Sequence, residues 1–188
     1  MIQTDDGHQP DDGDLIRRTR AGDTSAFDVL VGRHTPRLYR MVRRLVSDGG
    51  EAEAVVQEAW LRAWRALPNY DETRPTIPWL ARIALNVARD RARRERFEFS
   101  SAEPDGIELQ DQGHGPEEWL ERTQSLERLA MAVQQLPAAQ RVVVALRYDG
   151  DLSYEEIAHV LGIPLNTVRT HLHRAKAALR RRLEGEGE

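Results

Sequence analysis

The sequence predicts an all-α protein of two small helical domains joined by a flexible acidic linker, with a helix-turn-helix at the end of the second domain. Apolar residues recur at spacings of three and four along most of the chain, and no segment alternates like a strand. Charge falls into blocks: residues 14–96 carry 17 arginines against 11 acids, whereas residues 97–118 carry seven acids and no base. The acidic block is too polar to pack, so it indicates a linker between two basic domains.

Several classes of protein are excluded or disfavoured by composition. The chain has no cysteine, so it can form neither a disulfide nor a thiolate metal site. His171 and His173 lie two residues apart in a predicted helix and point to different sides, so they cannot chelate one metal ion. No nucleophile-elbow, phosphate-loop or zinc-hydrolase spacing occurs. We therefore expect no enzyme activity, no metal and no cofactor.

Neither a signal peptide nor a membrane span is predicted. The first residues are acidic and polar, and nowhere do 18 apolar residues follow one another. The expectation is a cytoplasmic protein without membrane insertion.

The first domain is expected over residues 14–96, after a disordered acidic tail at residues 1–13. Asp14 is the candidate N-cap of the first helix, and Asp23 marks the break and the new cap before the second. The segment Ser47–Gly50 is expected to close that second helix.

A third helix follows in the sequence EAEAVVQEAWLRAWRAL, with both of its tryptophans expected in the core, and Pro68 ends it. A loop bracketed by Pro68 and Pro78 comes next and carries one aromatic residue, Tyr70. Trp79 then opens a helix whose far side is basic, because Asn86, Arg89 and Arg93 recur there at spacings of three and four.

The linker is expected over residues 97–116, the second domain over 117–183 and a frayed tail over 184–188. The second domain should begin with a helix that Pro137 breaks, and a further helix should cover residues 140–148.

The last helical pair carries the most specific local signals. Ser153 and Glu156 have the spacing of a capping box, which fixes the start of a short helix. Gly162 and Pro164 then set a turn. The final helix has one apolar stripe, and from Leu165 to Leu183 it carries six basic residues and no acidic one.

Two interpretations of this pair remain open. In a helix-turn-helix the first helix braces the second, whose polar face enters the major groove of DNA. The alternative is an ordinary amphipathic hairpin with a solvated basic face.

The chain from Asp14 to Leu183 resembles the extracytoplasmic-function (ECF) group of bacterial RNA polymerase sigma factors. Four segments in order carry the resemblance: AGDTSAFDVLVGRH, EAEAVVQEAWLRAWRALPNY, PWLARIALNVARDRARR and LPAAQRVVVALRYDGDLSYEEIAHVLGIPLNTVRTHLHRAK.

This resemblance implies a protein that directs promoter recognition, DNA melting and transcription initiation, with no reaction of its own. Its first domain would bind the clamp coiled coil of the largest subunit of core RNA polymerase and capture the melted non-template strand of the minus-ten element. Its second domain would read the minus-thirty-five element as duplex and touch the polymerase flap. The family also implies an anti-sigma factor as a partner. The linker would run toward the RNA exit path, or else serve as a plain tether.

Individual residues of the first domain inherit roles from the resemblance. Gln57 and Glu58 match the family's QE pair, and with Arg62 they are expected to dock on core polymerase. The other matched positions concern the minus-ten element, and the resemblance implies a role for each. The loop from Pro68 to Pro78 matches the family's specificity loop, with Trp79 at its end. Ala66, Tyr70 and Asn86 would line the base pocket, and Arg89 and Arg93 would neutralise phosphate.

In the second domain the resemblance implies contacts with the minus-thirty-five element. Asn166, Arg169 and Thr170 are the candidates for base edges, because they lie nearest the N-terminus of the recognition helix. His171 stands where many family members carry Arg or Lys. The full set comprises Asn166, Thr167, Arg169, Thr170, His171, Arg174 and Lys176. A different hypothesis is a stand-alone helix-turn-helix regulator whose N-terminal helices dimerise or sense a ligand.

Overall fold

A computed structural model of the chain describes residues 10–46, 48–98 and 128–184. All regular secondary structure in these ranges is helical, which confirms the predicted fold class. The first half of the chain contains α1 (Asp12–Arg20), α2 (Thr24–Arg43), α3 (Gly49–Ala66), a 3₁₀ turn (Leu67–Asn69) and α4 (Thr76–Glu98).

Aspartates cap the first three helices. The side chains of Asp11, Asp23 and Asp48 accept hydrogen bonds from backbone N–H groups three residues later, at 2.7, 3.3 and 3.0 Å. Each bond satisfies one of the donors that a helix start leaves without an intrahelical partner. The predicted cap at Asp23 is confirmed.

Three predicted boundaries are wrong by a few residues. Helix α1 begins at Asp12 rather than after Asp14, because Asp11 supplies the capping oxygen. Helix α2 ends at Arg43 and not at the Ser47–Gly50 segment, in which Asp48 caps α3 and Gly49 begins it. Helix α4 begins at Thr76 and not at Trp79. A sequence pattern places a helix end only to within a few residues, because neighbouring residues such as Asp11 and Asp14 can both serve as caps.

The second half consists of helical residues 128–134 (α5), α6 (Ala138–Val144), a π-helical continuation (Ala145–Asp149), α7 (Tyr154–Leu161) and α8 (Leu165–Glu184). Residues 1–9, from the expected tail, lie outside the described residues. So do residues 99–127, which include nearly all of the expected linker and the expected start of the second domain.

The two halves of the chain share one hydrophobic core. Leu38 and Met41 of α2 belong to the same buried cluster as Leu146 and Leu152 of the second half. At Gly150 the backbone passes so close to α2 that an added Cβ would lie 2.4 Å from the sulfur of Met41.

Polar contacts accompany this shared core. Arg44 forms a double hydrogen bond with Asp149 at 2.7 and 3.3 Å, and the Asp149 side chain is only 10% exposed. Arg37 donates to the carbonyl oxygen of Gly150. Both apolar and ionic contacts therefore hold the two halves together. We call this packing of one half against the other the closed arrangement.

A second hydrophobic cluster is separate from this core. It joins Leu15 and Ile16 of α1 to Ala26 and Leu30 of α2 and to two residues that follow α3, Leu67 and Tyr70. Helix α1 therefore packs on the segment that connects α3 to α4. We call residues 67–75 the α3–α4 loop.

Candidate nucleic-acid interface

The α7–α8 pair is built by strong local signals. The hydroxyl of Ser153 accepts from the Glu156 N–H at 3.1 Å, and the Glu156 carboxylate accepts from the Ser153 N–H at 2.7 Å. This is the predicted capping box. Gly162 ends α7 with φ of 66°, a left-handed conformation that glycine adopts without the strain of a side chain.

Helix α8 buries one face and exposes the other. Val168, Leu172 and Ala175 are at most 2% exposed and belong to the shared core. On the other side five of the predicted DNA contacts are exposed: Asn166, Arg169, Thr170, Arg174 and Lys176. Thr167 is half-buried beside them. From Asn166 to Arg182 this exposed face is polar and its charges are all positive, as a phosphate-binding helix requires.

His171 does not share that exposed face. It lies three residues after Val168 and four before Ala175, next to the buried stripe, and it is half-buried. Its side chain lines a cleft of about 490 Å³ between the two halves, together with Leu85 and Arg89 of α4. Its Nδ1 atom is buried and has no hydrogen-bond partner among the described residues. The structure therefore separates His171 from the other predicted contacts.

The α3–α4 loop forms one wall of a second cleft, of about 730 Å³, which we call the loop cleft. Ala66, Tyr70 and Trp79, three of the predicted minus-ten contacts, line it. The opposite wall belongs to α7. The remaining lining residues are Asn69, Asp71, Arg74, Pro75, Pro78 and Arg82 from the first half and Glu155, Glu156 and His159 from the second.

Tyr70 is held firmly at the base of the loop cleft. Its ring stacks on Trp79 with 4.1 Å between centroids and 24° between planes, and only 8% of the residue is exposed. Its hydroxyl donates to the carbonyl oxygen of Arg74 at 2.8 Å. Burial raises the pKa of Tyr70 to about 12, so the phenol stays protonated and keeps donating this bond. One stacking face of Tyr70 is thus already occupied by Trp79.

The three remaining predicted minus-ten residues lie along α4 beyond this cleft. Asn86 is exposed one turn after Arg82 on the same side of the helix, but it does not line the loop cleft. Arg89 lines the cleft that contains His171, and Arg93 is exposed. Sequence reasoning missed Arg74 and Arg82, although Arg82 stands four residues before Asn86 and could have been found by that spacing.

Two of the three predicted polymerase contacts are engaged within the chain. Arg62 donates to Glu58 at 2.9 Å and to Asp90 of α4 at 2.8 Å. The hydrogen bonds that Arg62 donates lower the pKa of Glu58 and the pKa of Asp90. The same bonds, to Asp90 and to Glu58, raise the pKa of Arg62. Gln57 is exposed.

Beside Gln57 the surface of α3 is apolar. Leu61 is 53% exposed and Trp64 is 43% exposed, and they follow Gln57 at spacings of four and seven, so all three share one face. The ring of Phe27 supports Trp64 at 4.8 Å between centroids. The prediction that the tryptophans of α3 are core residues is confirmed for Trp60, which is 8% exposed, and wrong for Trp64.

The described residues provide neither a metal-binding cluster nor a membrane-spanning helix. Across residues 10–46, 48–98 and 128–184 there is no group of three or more histidine and acidic side chains that could hold a metal ion. Within those ranges no helix combines the length and apolarity that crossing a bilayer requires.

Comparison with known families assigns both halves of the chain. Residues 30–98 match the sequence profile "Sigma-70 region 2", and residues 126–179 match "Sigma-70, region 4". These two matches define a bacterial sigma factor of the sigma-70 class. Within that class the chain belongs to the ECF sigma factors, as its similarity to the following relatives shows.

The chain is 34% identical to the RNA polymerase sigma-H factor of Pseudomonas aeruginosa over 184 residues, covering 94% of this chain and 95% of the relative. It is 31% identical to the ECF sigma factor SigW of Bacillus subtilis over 176 residues, covering 89% and 94%. Because both similarities include the first half, a stand-alone helix-turn-helix regulator is not favoured.

Solved structures agree with this fold. The structure of CnrH in complex with the cytosolic domain of CnrY superposes with a TM-score of 0.70 at 28% identity, covering 94% of this chain and 99% of CnrH. The sigma factor RpoE of Bartonella quintana, solved with the anti-sigma factor NepR, also gives a TM-score of 0.70, and the superposition covers 84% of this chain and 96% of the RpoE chain. Because RpoE is only 22% identical to this chain, the likeness supports the fold alone.

Proposed function

We propose that this ECF sigma factor directs core RNA polymerase to promoters by reading duplex DNA with α8 and the melted non-template strand at the loop cleft. The protein supplies binding and positioning and catalyses no reaction. The observation that carries the proposal is the division of α8 into a buried stripe and an exposed face whose charges from Asn166 to Arg182 are all positive, on a chain that also has an aromatic cleft.

At the minus-thirty-five element, α8 would lie in the major groove. Asn166 and Arg169 already interact at 3.3 Å on the exposed face, and both present groups that can pair with base edges. Arg174 and Lys176, further along the helix, suit phosphate contacts, which add affinity without sequence information. His171 joins this set only if the cleft that it lines opens.

At the minus-ten element, the loop cleft would receive an unstacked base. Trp79 and Tyr70 provide aromatic surface, and Arg74 and Arg82 provide positive charge for the adjoining phosphates. Asn86 stands further along the same side of α4, where its amide can reach the next nucleotide of the strand.

The exposed face of α3 is the proposed docking surface for the clamp coiled coil of polymerase. Leu61 and Trp64 form its apolar centre and Gln57 its polar edge, a composition typical of interface cores. The ion pair of Arg62 with Asp90 links α3 to α4, and the pair of Arg62 with Glu58 within α3 orients the guanidinium for that link.

Promoter binding requires the two halves to separate. The minus-ten and minus-thirty-five elements are named for their positions relative to the start of transcription, so they lie about 25 base pairs apart. At about 3.4 Å per base pair this is about 85 Å of duplex. In the closed arrangement α4 packs directly against α7, and the two reading surfaces adjoin one another. One closed molecule therefore cannot occupy both elements, and binding to polymerase must stabilise an open form.

An anti-sigma factor is the partner that would stabilise the opposite state. CnrH, which resembles this chain in sequence and fold, was solved in complex with the cytosolic domain of CnrY. A protein that binds the closed form better than the open form would keep the chain from polymerase by mass action.

Run-off transcription tests the proposal. The chain is added to bacterial core polymerase on genomic DNA fragments, and the start points are mapped. We expect starts that depend on the chain and share two upstream elements. If no such start appears, while the protein alone binds duplex DNA tightly and specifically, the chain is a stand-alone regulator and the proposal is wrong.

Asn86→Ala separates strand capture from assembly. The side chain is exposed, so the fold should be unaffected. We expect normal binding to core polymerase and a loss of open complex of roughly tenfold, the effect of about 1.4 kcal/mol of lost base contact. Loss of core binding instead would mean that this part of α4 docks on polymerase.

A further inference from the structure

An arginine side chain at the end of α1 connects this helix to the α3–α4 loop. Arg20, the last residue of α1, extends its guanidinium under this loop. Its Nε atom donates to the carbonyl oxygen of Leu67 at 3.0 Å, one terminal nitrogen donates to the carbonyl oxygen of Tyr70, and the other contacts the carboxylate of Glu72 at 2.6 Å. One side chain thus holds both the first residues of the loop and its middle.

Arg20 adds a side-chain donor where the backbone supplies few. Carbonyl groups at the end of a helix lack intrahelical donors, and Leu67 stands immediately after α3, where its carbonyl oxygen also accepts from the Tyr70 N–H at 3.2 Å. A guanidinium is suited to this task because its donors are arranged in a rigid planar fork. The Arg20 side chain is 26% exposed and that of Glu72 is 28% exposed, so the contact is shielded from solvent on most of its surface.

The rest of α1 makes contact with the same loop. Leu15 and Ile16 pack against Leu67 and Tyr70 in the cluster that is separate from the main core. At Gly13 the helix passes so near the loop that an added Cβ would lie 3.0 Å from the carbonyl oxygen of Glu72.

The far end of the loop lies beside α1 as well. Thr76, the first residue of α4, is close enough to Asp12 to help lower the pKa of that carboxyl. Asp12 is itself held by α2, through Arg33 and His34 at 2.6 Å each. Helix α1 therefore holds the start of the loop and lies beside its end.

These contacts fix the wall of the loop cleft that the α3–α4 loop forms. They involve the small separate cluster and not the shared core. Arg20 binds the backbone of Tyr70, whose ring stacks on Trp79 in that wall. Without Arg20, water can satisfy the carbonyl groups of the loop, so global stability should change little. The loop itself would lose the donors that select one conformation, which is local loosening.

We propose that Arg20 is a positioning residue for strand capture: it fixes the α3–α4 loop in the conformation that discriminates between bases of the minus-ten element. This inference rests on the proposed function of the loop cleft. It assigns to α1 the selectivity of a site that α1 does not itself line.

The test compares Arg20→Met and Arg20→Lys with Arg17→Met, a matched control on the same helix. Arg17 is 57% exposed; it pairs with Asp14 at 3.6 Å and reaches the loop only through a longer-range attraction to the Glu72 carboxylate. Hydrogen exchange of the free proteins reports on the loop. Holoenzymes then select from duplexes in which the minus-ten element of a promoter mapped with the unmodified chain has been randomised, and the enriched sequences report on base discrimination.

We expect Arg20→Met to accelerate exchange at residues 67–75 and to lower discrimination between preferred and other bases roughly tenfold, the factor for one charge-assisted hydrogen bond. Exchange in α7 and α8 and affinity for core polymerase should not change. Arg20→Lys should recover part of the discrimination, because a lysine can reach one acceptor but cannot bridge three. Arg17→Met should match the unmodified chain.

Three results would overturn the inference. Unchanged exchange in the loop would mean that Arg20 does not order it. Faster exchange with unchanged base preference would mean that loop order does not set specificity. Equal acceleration throughout the chain would make Arg20 a residue of general stability. A lack of enrichment with the unmodified chain would instead contradict the proposed function and with it the role in specificity, while the exchange data would still test the contact between α1 and the loop.

Discussion

The two candidate reading surfaces are built in opposite ways. The α8 surface depends on signals close together in the chain: a capping box at Ser153, a left-handed glycine at Gly162 and an apolar stripe in α8 itself. The loop cleft takes its walls from α3, the α3–α4 loop, α4 and α7, and its loop is held by Arg20, 47 residues before Leu67. One surface is a local structure, and the other is assembled from distant segments.

This difference separates folding from positioning. The buried stripe of α8 belongs to the shared core, so a change there acts on the stability of the whole protein. The loop is anchored by polar contacts and a small separate cluster, so a change there acts first on local order.

The largest effect is expected for Leu172→Ala. Leu172 is 2% exposed in the shared core, and truncation of such a leucine costs about 2–5 kcal/mol because it leaves a cavity. Urea unfolding should show the loss in both halves together. His173→Ala, on the exposed side of the same helix, should change stability by less than about 0.5 kcal/mol. Independent unfolding of the two halves would show that the core is not shared in solution.

Gly150→Ala should weaken the closed arrangement by about 1–3 kcal/mol, because the new Cβ overpacks the junction at the sulfur of Met41. The chain has no cysteine, so spin labels at Asp28→Cys and Arg180→Cys can report the separation of the halves. We expect a larger open population than in the unmodified chain.

The matched control for that substitution is Gly32→Ala in α2, where an added Cβ meets nothing within 4 Å. It should stabilise the helix by about 0.5–1 kcal/mol and leave the label distance unchanged. If Gly150→Ala lowers stability without changing the distance between the spin labels, the strain is absorbed within the second half. The substitution would then leave the contact between the two halves intact.

Asp12→Asn tests the attachment of α1 through its pH dependence. Burial raises the pKa of Asp12, but hydrogen bonds from His34, Arg33 and Thr76 and the His34 charge outweigh this and lower it from 3.8 to about 2. A lowered pKa stabilises the fold above the unfolded value, and this contribution disappears as pH falls through the folded value. Asp12→Asn should therefore be less stable by up to about 2 kcal/mol at pH 7.

The two proteins should converge in stability between about pH 4 and pH 2, where Asp12 of the unmodified chain becomes protonated. Unfolding curves at several pH values measure this difference. A constant difference across the acidic range would show that the substitution acts through packing. Asp14→Asn is the control on the same helix, since Asp14 is more exposed and pairs only with Arg17.

Ser153→Ala has the smallest expected effect. It removes the oxygen that caps α7 and should cost about 1 kcal/mol, with faster hydrogen exchange in the first turn of α7. The α3–α4 loop should be unaffected. Equal loosening of that loop would contradict the view that the α8 surface is built locally. Thr170→Ala, whose hydroxyl bonds only within its own helix, is the control.

Much of the architecture follows from sequence patterns. The helical class, the cap at Asp23, the capping box at Ser153 and the buried stripe of α8 were all predicted and are observed. The family segments also predicted the sigma-factor assignment. The first boundary was wrong because Asp11 and Asp14 are equally good caps, and no local rule chooses between them.

Other features could not be found by spacing. Trp64 was expected in the core, since period alone does not reveal that, among the described residues, Trp64 stays 43% exposed although Phe27 packs against its ring. His171 stands at the border of the apolar stripe of α8, and only the packing of α4 against the second half turns it into a cleft residue. The role of Arg20 depends on three acceptors that lie about fifty positions later in the chain.

The sequence by itself determined which segments are helical and which face of α8 is polar, because capping, turn residues and periodicity act over a few positions. Only the tertiary structure decided that the two halves share one core, and that α1 holds the α3–α4 loop. Those features depend on contacts between residues 47 to 113 positions apart, which no local pattern encodes.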